Sequence, residues 1–366
     1  YRKNYMNSKP AILIISNYFN FHAVRPEAEI FLRLSKKGYP IVNLTAQPNS
    51  FQEQFENAGI VCYYGQPTSK YDRQFIKLIK SIIEKHNIQL VHVFNNKAIT
   101  NGIAACKQLP VKLIAYRGAS ANMEWWNPFN YLKFYHPRID KIICNSKEIE
   151  NIITANPFVA NKAVTILKGH DVSWYDQRDK VDLTEIVHKD EITFVTVANY
   201  RKVKGIHILL KAIDLLPNDT KAKFLIIGEG MNHPLIQKLF NGNRNKEKIH
   251  FLGYRKDALD IVGSSDVYIL PSIGSEALTK SVVEAMALSK PVILTDISGN
   301  APLYNGKYGW LIPKNNPIAL SNAIKDAIIS SDMFEEKGEA GRKIIEQDLG
   351  VERTVEGYEE VYRELI

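Results

Sequence analysis

Two glutamates eight residues apart and a tight cluster of cations are the parts of this sequence best suited to chemistry. Glu276 and Glu284 lie in IGSEALTKSVVEAMALSKPVILTDISG (273–299). Glu284 interrupts the apolar run V-V-E-A-M-A, where a helix packing on a sheet rarely keeps a carboxylate. Arg201, Lys202 and Lys204 follow ITFVTVAN and precede GIHILLKAI. Cations at the entrance of a helix oppose its dipole unless an anion lies there, and a phosphate-rich ligand would supply one. A solvated basic turn explains that segment alone equally well. Further on, ILPSIGSEALTK turns through Gly274 and starts a helix near Leu278, which leaves the N–H groups of about Leu278, Thr279 and Lys280 without intrahelical partners. A diphosphate would accept from them, with Lys280 adding charge. Glu284 would then accept from vicinal hydroxyls, as acidic residues do for ribose in dinucleotide sites. The plainer alternatives are a helix-start acid favoured by the dipole for Glu276 and a surface carboxylate paired with a nearby lysine for Glu284. Gly228 and Gly230 in IIGEGM permit close backbone approach, and Tyr254 and Arg255 stand in a polar turn after IHFLG. Each of these is a weak signal by itself.

The elements that must position these residues are legible as alternating strands and helices. Strands are expected at 11–17, 40–46, 60–65, 90–95, 112–118, 141–146 and 163–169, then at 192–199, 222–230, 249–253, 266–272, 291–297 and 309–313. Helical stretches lie between them. DRQFIKLIKSIIEKHN, for example, places Phe75, Ile76, Ile79, Ile82 and Ile83 on one face with lysines opposite. Such alternation implies parallel sheets covered on both faces, here as two doubly wound α/β domains. The expected division is 1–175, a polar linker at 176–190, a second domain at 191–348, and a last helix at 349–366 that crosses back to the first domain or caps the second. In open α/β sheets ligands sit beyond the carboxyl ends of strands, so the loops above are where function belongs.

Composition narrows the class. With 45% hydrophobic and 23% charged residues the chain reads as globular. Its apolar runs are too short to span a bilayer, and the first one, AILII, reads as a strand rather than a leader. Cys62, Cys106 and Cys144 are odd in number and widely spaced, as for free thiols in a cytoplasmic protein. The net charge is +8. Residues 1–176 hold 22 Lys and Arg against 12 Asp and Glu, whereas the remainder holds 25 against 27. A basic half beside a near-neutral one suggests an anionic partner for the first half.

In family order and spacing, VANYRKVKGIHILLKAI, LIIGEG, IHFLGYRKD, SSDVYILPS, the Glu276–Glu284 stretch, GNAPL and GKYGWLIP (about 190–315) resemble the signature of glycosyltransferase family 4. IICNSKEI and ILKGHD match more loosely. The resemblance implies a GT-B fold, two Rossmann-like domains facing a central cleft, and retaining transfer of a sugar from a nucleoside-diphosphate sugar. It implies catalytic roles for Arg201 and Lys204 at the pyrophosphate and for Glu276 at the donor sugar. Donor contacts would come from Glu284 at the ribose, from Lys202, and from Gly228, Tyr254 and Arg255 at the base. The stretch Ala277, Leu278, Thr279 and Lys280 would support phosphate and sugar. The chain departs from the family at Arg117-Gly118, where many members carry histidine, at Ala198-Asn199, and in NYFNFHAVRPE, which lacks the glycine-rich turn.

Because D-x-D and metal-ligand spacings are absent from the sequence, a reaction without metal or other cofactor is expected. The nucleoside-diphosphate sugar is then a substrate, with UDP favoured and GDP the other candidate. Arg117, Gly118, Trp125 and Trp126 are expected on the acceptor side. Aromatic faces among cations suit a glycan or a lipid-linked anionic acceptor, with peripheral contact of the basic half at the inner face of a cytoplasmic membrane. Lipopolysaccharide or capsule precursors fit this description. Nucleic acid is disfavoured, since the basic residues are not gathered in one cluster. A nucleotide-sugar-binding protein without transferase activity is the alternative that the missing histidine favours. An oxidoreductase is opposed by the absence of G-x-G-x-x-G after an early strand.

Overall fold

The computed structural model describes residues 9–18, 21–118, 123–274, 279–297, 299–300 and 306–366. Two wholly parallel sheets form. The first contains β1 (Ile12–Ile15), β2 (Ile41–Thr45), β3 (Val61–Tyr64), β4 (Leu90–Val93), β5 (Lys112–Arg117), β6 (Lys141–Cys144) and β7 (Ala163–Thr165) in the order β3-β2-β1-β4-β5-β6-β7. The second contains β8 (Ile192–Val197), β9 (Ala222–Ile227), β10 (Ile249–Gly253), β11 (Val267–Leu270), β12 (Val292–Thr295) and β13 (Gly309–Ile312) in the order β10-β9-β8-β11-β12-β13. Every strand falls inside its expected range. β1, β2, β4 and β6 are buried along their whole length, as both faces of each sheet require. Alternate residues of β1 show why. Leu13 and Ile15 join one core with the helix Arg73–Lys85, while Ile12 and Ile14 join another with Phe31 and the last helix. The helix Arg73–Lys85 buries the five residues its periodicity selects. It starts where the Asp72 carboxylate accepts from the N–H groups of Gln74 and Phe75.

The chain divides into two compact units, residues 1–169 with 351–366, and residues 170–350. The division falls at Gly169–His170 and Gly350–Val351, not within the polar stretch 176–190. That stretch packs on the second unit through Val181, Leu183 and Ile186, and the Val181 N–H donates to Ser264 Oγ at 2.9 Å. Its charges face water while every few residues an apolar side chain points inward, which composition averages away. The last helix, Val351–Leu365, belongs to the first unit and buries Val355, Tyr358, Val361 and Tyr362 beside the helix Phe21–Lys36. Residues 21–27 of the stretch NYFNFHAVRPE belong to that first helix, with Pro26 inside it. The thiols of Cys106 and Cys144 are buried and that of Cys62 is half-buried, all three free. Among the described residues no helix is long and apolar enough to cross a membrane.

The core of the first unit holds an imidazole. His92 on β4 is fully buried among Phe31, Phe94 and Tyr358, with Nδ1 3.3 Å from the Tyr362 hydroxyl. Burial, then the charge of Lys168, pushes its pKa down to about 3. The imidazole is therefore neutral in the fold, while the unfolded chain takes up a proton below about pH 6.5. Stability of the first unit should fall as pH drops from about 6.5 toward 3, by a few kcal/mol in all. Urea midpoints measured across that range should show the loss, and His92→Phe should flatten it.

Candidate functional site

In each sheet the strand order reverses beside its first strand, and in the second unit that point lies between β8 and β11. The loops leaving these two strands are locked together. Gly205, at φ +72°, presses so closely on the segment after β11 that a Cβ there would stand 1.8 Å from the Pro271 carbonyl oxygen. The Ile273 N–H donates to the Val203 carbonyl at 2.8 Å, and a Cβ on Gly274 would strike the Val203 side chain at 2.3 Å. The basic loop Arg201–Lys204 is thereby fixed against Pro271–Gly274, the segment that leads toward the helix Lys280–Ala287. The expected cations separate by burial. Arg201 and Lys202 are exposed, whereas Lys204 is only 8% exposed and lies inside the loop packing.

A second lock joins this loop to the end of β9. Gly228, at φ +139°, approaches the Ala198 carbonyl so that a Cβ would stand 2.2 Å away, and its N–H donates to the Gly253 carbonyl at the end of β10. The Asn199 side chain accepts from the Glu229 N–H at 2.9 Å, the Tyr200 N–H donates to the Glu229 carbonyl at 2.7 Å, and Tyr200 lies tilted over His233 with ring centroids 4.5 Å apart. Arg201, Lys202, Lys204, Gly228 and the Gly274 turn therefore share one rim of the second sheet. Tyr254 is 66% exposed at the adjoining end of β10. Arg255 beside it makes a two-pronged ion pair with Asp257, at 2.7 and 2.6 Å, rather than standing open toward a base. That pair holds the Asp257 carboxyl below and the Arg255 guanidinium above their ordinary values.

Glu276, Ala277 and Leu278 lie outside the described residues. The helix begins at Lys280, with Thr279 in extended conformation before it, two residues later than expected. The Val282 and Val283 N–H groups turn back to the Thr279 carbonyl. Among the described residues the first helical amides are thus those of Lys280 and Ser281, with Thr279 before the helix. Glu284 is buried, 8% exposed, and its carboxylate accepts a hydrogen bond from Lys280 Nζ one turn earlier. The acid and the lysine assigned separately to ribose and phosphate form one pair. Its i,i+4 spacing was readable, but only the fold shows that the acid is inside. The helix is tied to the sheet where the Tyr268 hydroxyl donates to Ser281 Oγ at 2.7 Å. Gly205 and Asn199 are builders of the rim that residue types alone did not single out. A glycine directly before a helix was the available signal for Gly205.

On the first unit Arg117 ends β5, half-buried, its guanidinium 4.8 Å from the Phe134 ring centroid and its pKa lowered by burial. Asn145 Nδ2 donates to the Gly118 carbonyl at 3.2 Å. The aromatic excursion that follows divides in two. Phe134 and Tyr135 are core residues, while Trp125 and Trp126 stand 53% and 68% exposed and meet edge to face.

Chemically, the second-unit rim offers fixed cations, amides at a helix start and a buried carboxylate on one side of one sheet, a set suited to a diphosphate flanked by hydroxyls. Residues 179–344 match the family model described as glycosyl transferases group 1, and residues 28–174 match glycosyltransferase family 4. An uncharacterized glycosyltransferase of Methanocaldococcus jannaschii is 28% identical over 79% of this chain and 79% of its own. Among solved structures, a glycosyltransferase from Rickettsia africae superposes with a TM-score of 0.80 at 20% identity, covering 98% of this chain and 99% of that one. Anabaena HepE in complex with UDP gives 0.75 at 17%, covering 97% and 100%.

The Gly205 contact sets the site's most sensitive point. Gly205→Ala should destabilise the second unit by roughly 2–5 kcal/mol, through left-handed strain and a clash with backbone that cannot swing away. Chemical denaturation followed by Trp310 fluorescence would measure it, and Gly242→Ala, with only one ordinary contact at 3.4 Å, should change the midpoint little.

Proposed function

The chain belongs to the family 4-like glycosyltransferases, and on that premise we propose that it moves a sugar from a nucleoside-diphosphate sugar, UDP before GDP, to a cell-envelope glycan or lipid-linked anionic acceptor. The reaction proposed is retaining and metal-independent, at the inner face of a membrane. The observation that carries the donor assignment is the double glycine lock that holds Arg201 and Lys204 against the approach to the helix Lys280–Ala287. The UDP bound by the Anabaena relative supports the choice of base.

In this reading glycosyl transfer passes through a state in which negative charge builds on the departing phosphate oxygen. Arg201 and Lys204, with the first amides of the helix, stabilise that charge more in the transition state than in the ground state. Preorganisation matters because a buried lysine held by packing needs little rearrangement as charge develops. Glu284 takes the ribose hydroxyls, its charge balanced by Lys280, and Glu276 contacts the donor sugar. Tyr254 and Gly228 border the base. Arg117, Gly118, Trp125 and Trp126 serve the acceptor. Retention follows if the acceptor attacks on the face the phosphate leaves, with that phosphate taking its proton.

Thermal unfolding with UDP, GDP, ADP and CMP tests the donor. Ligand at about 100 times its Kd should add about 2.7 kcal/mol to the form that binds it, UDP giving the largest shift. Arg201 is exposed, so Arg201→Ala should leave folding intact while lowering kcat/KM about 10²–10³-fold. Wild-type turnover in that variant would refute its role. The second reading, a nucleotide-sugar-binding protein without transferase activity, is favoured by Arg117-Gly118 in place of histidine. A UDP-induced shift with no donor consumed in the presence of cell-envelope extract would select it.

A further inference from the structure

The first unit holds a cavity of about 390 Å³ between the outer face of the helix Asn96–Cys106 and the short helix Pro128–Leu132. Its floor is apolar, with Ile103 and Ala104 from the first helix and Phe129 and Leu132 from the second. Phe129 and Leu132 are 65% and 62% exposed, and Tyr71, also at the cavity, is 67% exposed. Large apolar side chains grouped at the surface around a hollow mark an interaction site rather than ordinary scatter. The rim is cationic. Lys70, Lys107 and Lys133 border the cavity with no acid among its lining residues, and none of the three forms a salt bridge among the described residues. Burial, then Lys162, Lys107 and Arg138, hold the His136 imidazole at the cavity edge below its usual value.

We propose that this face docks on an anionic phospholipid bilayer, the lysines meeting headgroup phosphates while Phe129 and Leu132 enter the interface and the cavity admits apolar chain. Lysine suits this arrangement because its long stem lies along apolar surface while the ammonium stays at the headgroup level. Trp125 and Trp126, exposed a few residues upstream in the same excursion, are residue types that settle at such interfaces. A nucleic acid would use the charges but not the apolar hollow, and an apolar protein partner would leave the lysines unmatched. The inference rests on the proposed membrane-held acceptor and gives that contact a place, while being independent of the donor chemistry.

Sedimentation of the full chain with vesicles tests it. Binding to phosphatidylcholine containing phosphatidylglycerol should exceed binding to phosphatidylcholine alone at least about tenfold at an ionic strength near 0.15 M, and should weaken as salt is raised. Lys107→Gln should weaken it about fivefold, one lysine near a charged surface contributing about that factor. Leu132→Ser, at an exposed position, should weaken binding that remains at high salt. Both variants should keep the wild-type thermal shift with UDP, which shows the second unit folded and reads the donor separately. Equal binding to the two vesicle types, or variants indistinguishable from wild type, overturns the docking surface. A fall with Lys107→Gln but none with Leu132→Ser overturns the apolar part, leaving electrostatic attraction alone. Vesicle binding without any UDP shift would sink the donor reading and uphold this one.

Discussion

A backbone contact at Gly205 governs the geometry of the second unit's rim. Two loops leave adjacent parallel strands, and neither strand's own hydrogen bonds say how those loops should lie. The close approach to the Pro271 carbonyl does, and only a residue without Cβ allows it. Once it forms, Val203 is in place to accept from Ile273 and Gly274 to make room for Val203. A second glycine, Gly228, repeats the device against Ala198. Cations on a free loop would have to give up rotamer and backbone freedom whenever a ligand arrived. Here much of that ordering is completed on folding, so the affinity of the ligand need not supply it.

Burial of Glu284 has to be weighed in the same terms. A carboxylate taken from water and matched by one lysine gains little net stability, because desolvation offsets the attraction. An apolar residue of similar size would pack the helix Lys280–Ala287 at least as well. The neighbouring Val282, Val283, Ala285 and Met286 show what that environment favours. In the proposed function the buried acid has a use, since the ligand's hydroxyls would donate to its lone pairs. The Lys280 partner, 38% exposed at its side chain, balances the charge of the buried acid.

Much of the fold was legible because strand and helix leave different periods in the sequence. Each of the thirteen strands sits inside the range read from its apolar run, and the helix Arg73–Lys85 buries the residues its spacing selects. What was not legible depends on contacts between segments distant in sequence. The stretch 176–190 looked like a linker because its polar residues outnumber Val181, Leu183 and Ile186, yet those three fix it to the second unit. The helix starts at Lys280, two residues later than expected, with Thr279, a residue type common at N-caps, extended before it. Lys204 and Arg201 read alike as cations, although one is inside the packing and the other in water. The pairing of Arg255 with Asp257 two residues on was not legible, because turn geometry rather than spacing sets it.

Net charge also conceals more than it tells. The first unit has an acidic last helix, and three of its five carboxylates are matched by cations of that unit. Glu352 meets Arg33, Glu359 meets Lys37 and Lys9, and Glu364 meets Lys141 at 2.6 Å. Such exposed pairs contribute little stability each, yet they offset part of the positive charge on that side of the sheet. The helices Arg73–Lys85 and Asn96–Cys106 cover the opposite face, as the separate cores of β1 show. There Lys70, Lys107 and Lys133 keep their charge unmatched around an apolar hollow. The bilayer proposed to dock here would thus meet unmatched lysines on the side that also offers apolar surface.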